Sequence, residues 1–162
     1  MKVYLAHAIS TTGEFKDSLR VAKRIRSLGY EVYAAAENDA INDKSNDPTP
    51  LDIYEADVFE LLTSDIVVVN LSGGLQDGTI TEVGIVAGYN EMVKLLEDTQ
   101  NPKFAIPIIG YTSNARLLQP QFYKGIPSAS ANHLTLGVIA RWGEFVGDEE
   151  AMIEKLKELK GE

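Results

Sequence analysis

Cysteine is absent from the 162-residue chain, which removes disulfides, thiolate nucleophiles and Cys-bound zinc from consideration. Histidine is scarce, and His7 and His133 are too few for a His-rich metal site. No apolar run reaches the roughly 18 residues that a membrane-spanning helix needs. Positive charge is also in short supply. Fifteen Lys and Arg stand against twenty-four Asp and Glu, a formal net charge of -9. A field of that sign repels nucleic-acid polymers, whose binding rests on phosphate neutralisation. It does not exclude a single nucleoside held in a local pocket. Met1-Lys2 passes straight into Val3-Tyr4-Leu5-Ala6, without a charged region, apolar core and cleavage site in succession, so the cytoplasm is the expected compartment.

What is present is the ordinary content of a globular protein: 44% hydrophobic and 24% charged residues. The length suits one domain, taken here as residues 1–162, large enough to bury a substantial core. Lys2 to Ala8 and Tyr30 to Ala36 read as strands. Between them Phe15, Leu19, Ala22, Ile25 and Leu28 recur at helical spacing, and Gly29 stops the helix. A long polar loop follows from Glu37 to Pro50, a length expected of a functional or mobile segment. Helical spacing returns from Leu51 to Thr63. It is followed by a strand at Ile66 to Val69, a helix from Thr79 to about Val93 and a strand at Phe104 to Ile109. Residues 111 to 131 look irregular, Asn132 can cap a helix through Leu136, Ile139 and Ala140, and a last helix runs from about Asp148 to Leu159. Strands alternating with helices predict an α/β fold: a single-domain parallel sheet with helices on both faces, in a flavodoxin- or Rossmann-like doubly wound architecture.

The tract from Ser64 to Gly84 carries the chemistry. A buried strand, Ile66-Val67-Val68-Val69, runs into a glycine-rich loop holding Gly73, Gly74, Asp77 and Gly78, and then into a helix bearing Glu82. Open α/β sheets bind their ligands at such strand-to-helix turns. The glycines allow a ligand to approach the backbone, although ordinary turns use glycine too. Their spacing matches neither the Walker nor the Rossmann fingerprint. Thr79-Ile80-Thr81-Glu82 has the form of a capping box, which would make Glu82 a structural residue. The same place near a helix N-terminus favours an ionised carboxylate, as a nucleophile requires. Asp57 shares a helical stripe with Tyr54 and Leu61 that can approach the loop; a lone helical Asp is otherwise a surface charge.

The order and spacing of Val3-Tyr4-Leu5-Ala6, the helix with Asp57, Ser64 to Val69, Asp77-Gly78-Thr79 and Glu82-Val83-Gly84 resemble the nucleoside 2-deoxyribosyltransferase family over about residues 2 to 140. The resemblance implies that Glu82 attacks the anomeric carbon of a 2'-deoxyribonucleoside and forms a deoxyribosyl ester, which a second free nucleobase captures. It implies that Asp57 protonates the leaving base and deprotonates the incoming one, and that Tyr4 orients the nucleophile. Asp77, with Gly78 and Gly74, would hold the sugar. Many members carry an acid where this chain has Gln76, so Asp77 departs from the pattern by one position. Asn132 would reach the sugar of a neighbouring subunit in a homo-oligomer, the competing expectation being a plain helix cap. No metal or other cofactor is implied.

Two other functions stay open on the sequence. One is a 2'-deoxynucleoside 5'-monophosphate N-glycosidase, kept open by Ser10, Thr11, Thr12 and Ser72 but opposed by Asp77 and by the lack of Lys or Arg in the glycine loop. The other is a non-catalytic nucleotide-binding sensor that uses the same cleft.

Overall fold

Val3, Tyr4, Leu5 and Ala6 are all buried, as befits a strand flanked by strands at both edges and covered on both faces. The computed structural model describes residues 1–72, 76–96, 105–115, 117–118, 121–123, 126–128 and 131–161. In chain order its strands are β1 (Lys2–Ala6), β2 (Glu31–Ala34), β3 (Ile66–Asn70), β4 (Ile108–Tyr111), β5 (Gln121–Tyr123), β6 (Ile126–Ser128) and β7 (Gly143–Gly147). Its helices are α1 (Thr12–Arg26), α2 (Asp39–Asn42), α3 (Pro50–Leu62), α4 (Asp77–Leu96), α5 (His133–Trp142) and α6 (Glu149–Lys160). The main sheet is parallel throughout, in the order β2-β1-β3-β4-β7. That is the flavodoxin-like order, with its switch point between β1 and β3.

The side-chain alternation of the strands sorts the core into two layers. Val3 and Leu5 pack with Val21 and Ile25 of α1 and with Met152 and Leu156 of α6. Tyr4, Ala6, Val67 and Val69 face the other way, toward Leu61 of α3, Val83 and Val86 of α4 and Ile139 of α5. Among the described residues, two helices therefore cover one face and three the other. Capping boxes at Thr11/Glu14 and Thr49/Asp52 fix the starts of α1 and α3, where Pro50 occupies the first helical position.

Several elements differ from the sequence expectation. β4 lies later than Phe104 to Ile109, and Phe104 itself falls outside the described residues. Residues 121–123 and 126–128 pair as an antiparallel ribbon instead of staying irregular. The polar 37–50 segment folds into short helical turns at Ala35–Glu37, α2 and Lys44–Asn46. These are tied by Asn42 Nδ2 donating to the Ala35 carbonyl at 2.6 Å. β7 was not expected at all. It follows α5 without a loop and pairs with β4 by close backbone approach at Gly143, where a Cβ would lie 1.8 Å from the Ile108 carbonyl oxygen. Among the described residues no helix is long and apolar enough to cross a membrane.

Candidate active site

The site lies at the switch point, where β1 presents Tyr4 to α3 and α4. The Tyr4 hydroxyl donates to Oε1 of Glu82 at 2.7 Å. One strand over, Tyr33 stands in register with Tyr4 on the same sheet face, the two rings stacking with centroids 5.3 Å apart. The Tyr33 hydroxyl donates to Oδ1 of Asp57 at 2.7 Å. Two tyrosines side by side thus present two carboxylates from two helices.

Both carboxylates line a two-lobed cleft. A small lobe of about 160 Å³ is bounded by His7, Ala8, Ile9, Ala35, Gln76 and Thr79. A larger lobe of about 710 Å³ is bounded by Ile53, Tyr54, Val58, Leu61, Thr81 and Ile85. Ser10, Asp57, Asp77, Gly78 and Glu82 line both, so the carboxylates stand where the lobes meet. The large lobe is walled mainly by aliphatic side chains and Tyr54, the kind of surface that accepts a flat ring.

The electrostatics follow from this placement. Glu82 keeps some contact with the cleft, yet the density of protein around it makes burial dominant and pushes its carboxyl up to about 7; the Tyr4 bond opposes this and the charge of Asp57 adds to it. Asp57 is also raised, by burial first, against the Tyr33 bond and with help from Glu60. Tyr4 is held far above the usual phenol value by burial and then by Glu82 and Asp57, so it stays protonated and able to donate. A buried carboxyl in a cleft, paired with a second whose charge it feels, is the arrangement expected of acid, base or nucleophile chemistry.

The structure corrects the local reading of Glu82. α4 begins at Asp77, two residues before Thr79, which is itself buried in the first turn. Glu82 therefore sits in the second turn, and its carboxylate engages Tyr4 and not the helix-start amides. The expected helix-end preference for the ionised form is outweighed by burial, which acts in the opposite direction.

A family model described as nucleoside 2-deoxyribosyltransferase matches residues 3–155. The chain belongs to that family. Its fold is similar to that of a conserved protein from Enterococcus faecalis V583, known from a crystal structure, with a TM-score of 0.74, 24% sequence identity and 98% of each chain covered. A comparison with curated proteins found no match. Membership of the nucleoside 2-deoxyribosyltransferase family makes this an enzyme of a superfamily that acts on nucleosides and that also includes N-glycosidases.

Of the family positions expected from the sequence, Tyr4, Asp57, Glu82, Asp77 and Gly78 come together at the cleft. Asp77 is exposed at the start of α4 and accepts a bond from the Gly78 amide at 3.0 Å. A Cβ on Gly78 would meet nothing within 4 Å, so no contact within the fold demands glycine there. Gln76 turns inward, donating to the Asn70 carbonyl at 3.0 Å and to Ser72 Oγ at 2.6 Å. Gly74 lies outside the described residues. Asn132 is exposed and caps α5, its Oδ1 accepting from the Leu134 amide at 2.8 Å. Within one protomer it lines neither lobe.

Three participants were missed. Tyr33 was legible only through the register that pairs it with Tyr4. His7 lies behind the small lobe. The Asn70 side chain accepts from the Ser113 amide through Oδ1 and turns Nδ2 toward His7 Nε2 at 2.8 Å; that nitrogen also faces Asp17 Oδ2 at 3.2 Å, and Nδ1 lies 2.6 Å from the Ala8 carbonyl oxygen. No local pattern announces either role. Among the described residues no group of three or more His, Cys, Asp or Glu could hold a metal ion.

Proposed function

We propose that this enzyme exchanges the base of 2'-deoxyribonucleosides through a covalent ester on Glu82. The observation that carries the proposal is the Tyr4 to Glu82 hydrogen bond at 2.7 Å in a cleft that Asp57 also lines. With Oε1 held by Tyr4, Oε2 is left to attack the anomeric carbon. The C–O bond forms as the C–N bond breaks, the bonding pair leaves with the base, and the Asp57 carboxyl supplies the proton that makes the base a competent leaving group. A second base then attacks the same carbon, its ring proton passes to Asp57, and Glu82 is released. Two inversions give net retention. The large aliphatic lobe suits the base, and the small lobe beside Asp77 and Gly78 suits the sugar.

The nucleoside 5'-monophosphate hydrolase reading is favoured by one observation, Ser10 on the wall of both lobes. Against it, Asp77 lines both lobes as well, and residues 64–84 contain no Lys or Arg to meet a phosphate dianion. We further propose a cytoplasmic homo-oligomer in which Asn132 serves a neighbouring cleft. Leu134, 78% exposed beside it, supports an apolar contact there. Asn132 spends Oδ1 on its cap, so Nδ2 would donate to the sugar.

Incubation with adenine and either deoxyinosine or its 5'-monophosphate separates the readings. Deoxyadenosine is the expected product. Free base with free sugar would assign a hydrolase, and binding without turnover a sensor.

A further inference from the structure

Asn38 sits between the turn at Ala35–Glu37 and α2, at the N-cap of α2, yet its side chain makes no capping bond. Asn is among the best residues for that task, so the local preference is forgone. The side chain instead donates through Nδ2 to the Tyr33 hydroxyl at 3.0 Å. A phenol has one proton to give. With Asn38 donating into its oxygen, the Tyr33 hydroxyl is directed at Oδ1 of Asp57, at 2.7 Å. Oδ1 then acts only as an acceptor, and the remaining site for a proton on Asp57 is Oδ2. The segment that begins at Ala35 also borders the small lobe, through Ala35 itself.

We propose that Asn38 and Tyr33 are positioning residues that hold the Asp57 proton on Oδ2 and couple the seating of the 35–46 segment to the protonation of Asp57. The proposal rests on Asp57 being the acid of base exchange, and it adds what sets that acid. During exchange Asp57 must alternate between carboxyl, before the base leaves, and carboxylate, while the ester waits. A seated segment strengthens the Tyr33 bond, because hydrogen bonds in a chain polarise one another, and so favours the carboxylate needed to receive the proton of the incoming base. An unseated segment weakens it and favours the carboxyl. Among the described side chains, the other groups facing Asp57 supply no cation to do this. Glu60 lies one turn along α3, Tyr4 reaches it from β1 and Glu82 from α4, Asp77 shares the cleft wall, and Lys2 is paired with Glu60 at 2.5 Å.

The test reads Asp57 directly, by the pH titration of its side-chain carboxyl carbon in nuclear magnetic resonance, assigned by its loss in Asp57→Asn. Tyr33→Phe keeps the ring that stacks on Tyr4 and removes only the donor. Its Asp57 midpoint is expected to rise by about one pH unit, and that of Asn38→Ala to rise by less in the same direction. The alkaline limb of kcat/KM should move with the midpoint. An Asp57 midpoint unmoved in Tyr33→Phe overturns the pair, and one moved in Tyr33→Phe but not in Asn38→Ala overturns the link to the segment. Because the titration needs no turnover, it separates these failures from failure of the exchange reading, in which the midpoints move but no base is exchanged.

Discussion

Glu82 shows how local spacing can suggest a helix cap that the fold does not make. The tract Thr79 to Glu82 looks like a cap because the spacing is right, but the sequence does not reveal that the helix starts two residues earlier and rotates the carboxylate toward β1. Its raised pKa has two consequences. On the proposed mechanism only the carboxylate attacks, so kcat/KM should fall as pH drops below about 7. The second concerns stability. The folded value lies above the ordinary 4.5, so the contribution of a buried neutral carboxyl is intact below about 4.5 and is lost as pH rises through about 7. Glu82→Gln cannot ionise and still accepts from Tyr4. It should therefore be more stable than the parent at pH 8 by up to about 3 kcal/mol, with no gain at pH 4.5, while losing exchange activity. Thermal melts at the two pH values check this, and equal melting points at pH 8 would contradict it. Gly78 makes a complementary case. Gly78→Ala should leave stability unchanged or slightly raised, since a Cβ meets no atom of the protein. It should raise KM by intruding on the cleft, and a KM equal to the parent's would remove Gly78 from the site.

At the scale of elements, periodicity was a good guide wherever an element is long or buried on both faces. β1, β3, α1, α3 and α6 fall where the apolar pattern puts them, because burial is what the pattern records. β7 escaped because it is a five-residue edge strand that starts at the residue after α5, with a glycine at each end and no turn to mark it. Its place depends on Gly143, where the Ile108 carbonyl leaves no room for a side chain. Gly143→Ala must push the two strands apart, and backbone cannot yield as a side-chain tip can. A loss of about 3 kcal/mol or more is expected, roughly a 6–12 °C fall in melting temperature for a chain of this size. A fall of under about 2 °C would mean that the β4 to β7 approach is looser than described.

For the whole molecule, the doubly wound order puts the C-terminal ends of β1 and β3 at one crevice, and with them Tyr4, Asp57 and Glu82, from segments far apart in sequence. The parallel, doubly wound architecture followed from the alternation of elements, but the strand order, with β7 at its edge, did not. Tyr4 was expected beside Glu82, where it lies; the partner of Asp57 was not foreseen, since Tyr33 and Asn38 reach it only through sheet register and a turn. If Asn132 completes a neighbouring cleft, Glu82→Gln and Asn132→Ala should each be impaired alone and recover activity when mixed and allowed to exchange subunits, because a mixed pair holds one intact site. Mixtures no more active than their parts would confine the site to one chain. The central claim is the ester on Glu82. Its most direct measurement is the mass of the peptide containing Glu82 after acid quench of the enzyme with a 2'-deoxyribonucleoside and no acceptor base. The account predicts a gain of one deoxyribosyl group on Glu82, lost when adenine is added before the quench. Release of base with every peptide unmodified, or the same gain at another residue, would contradict it.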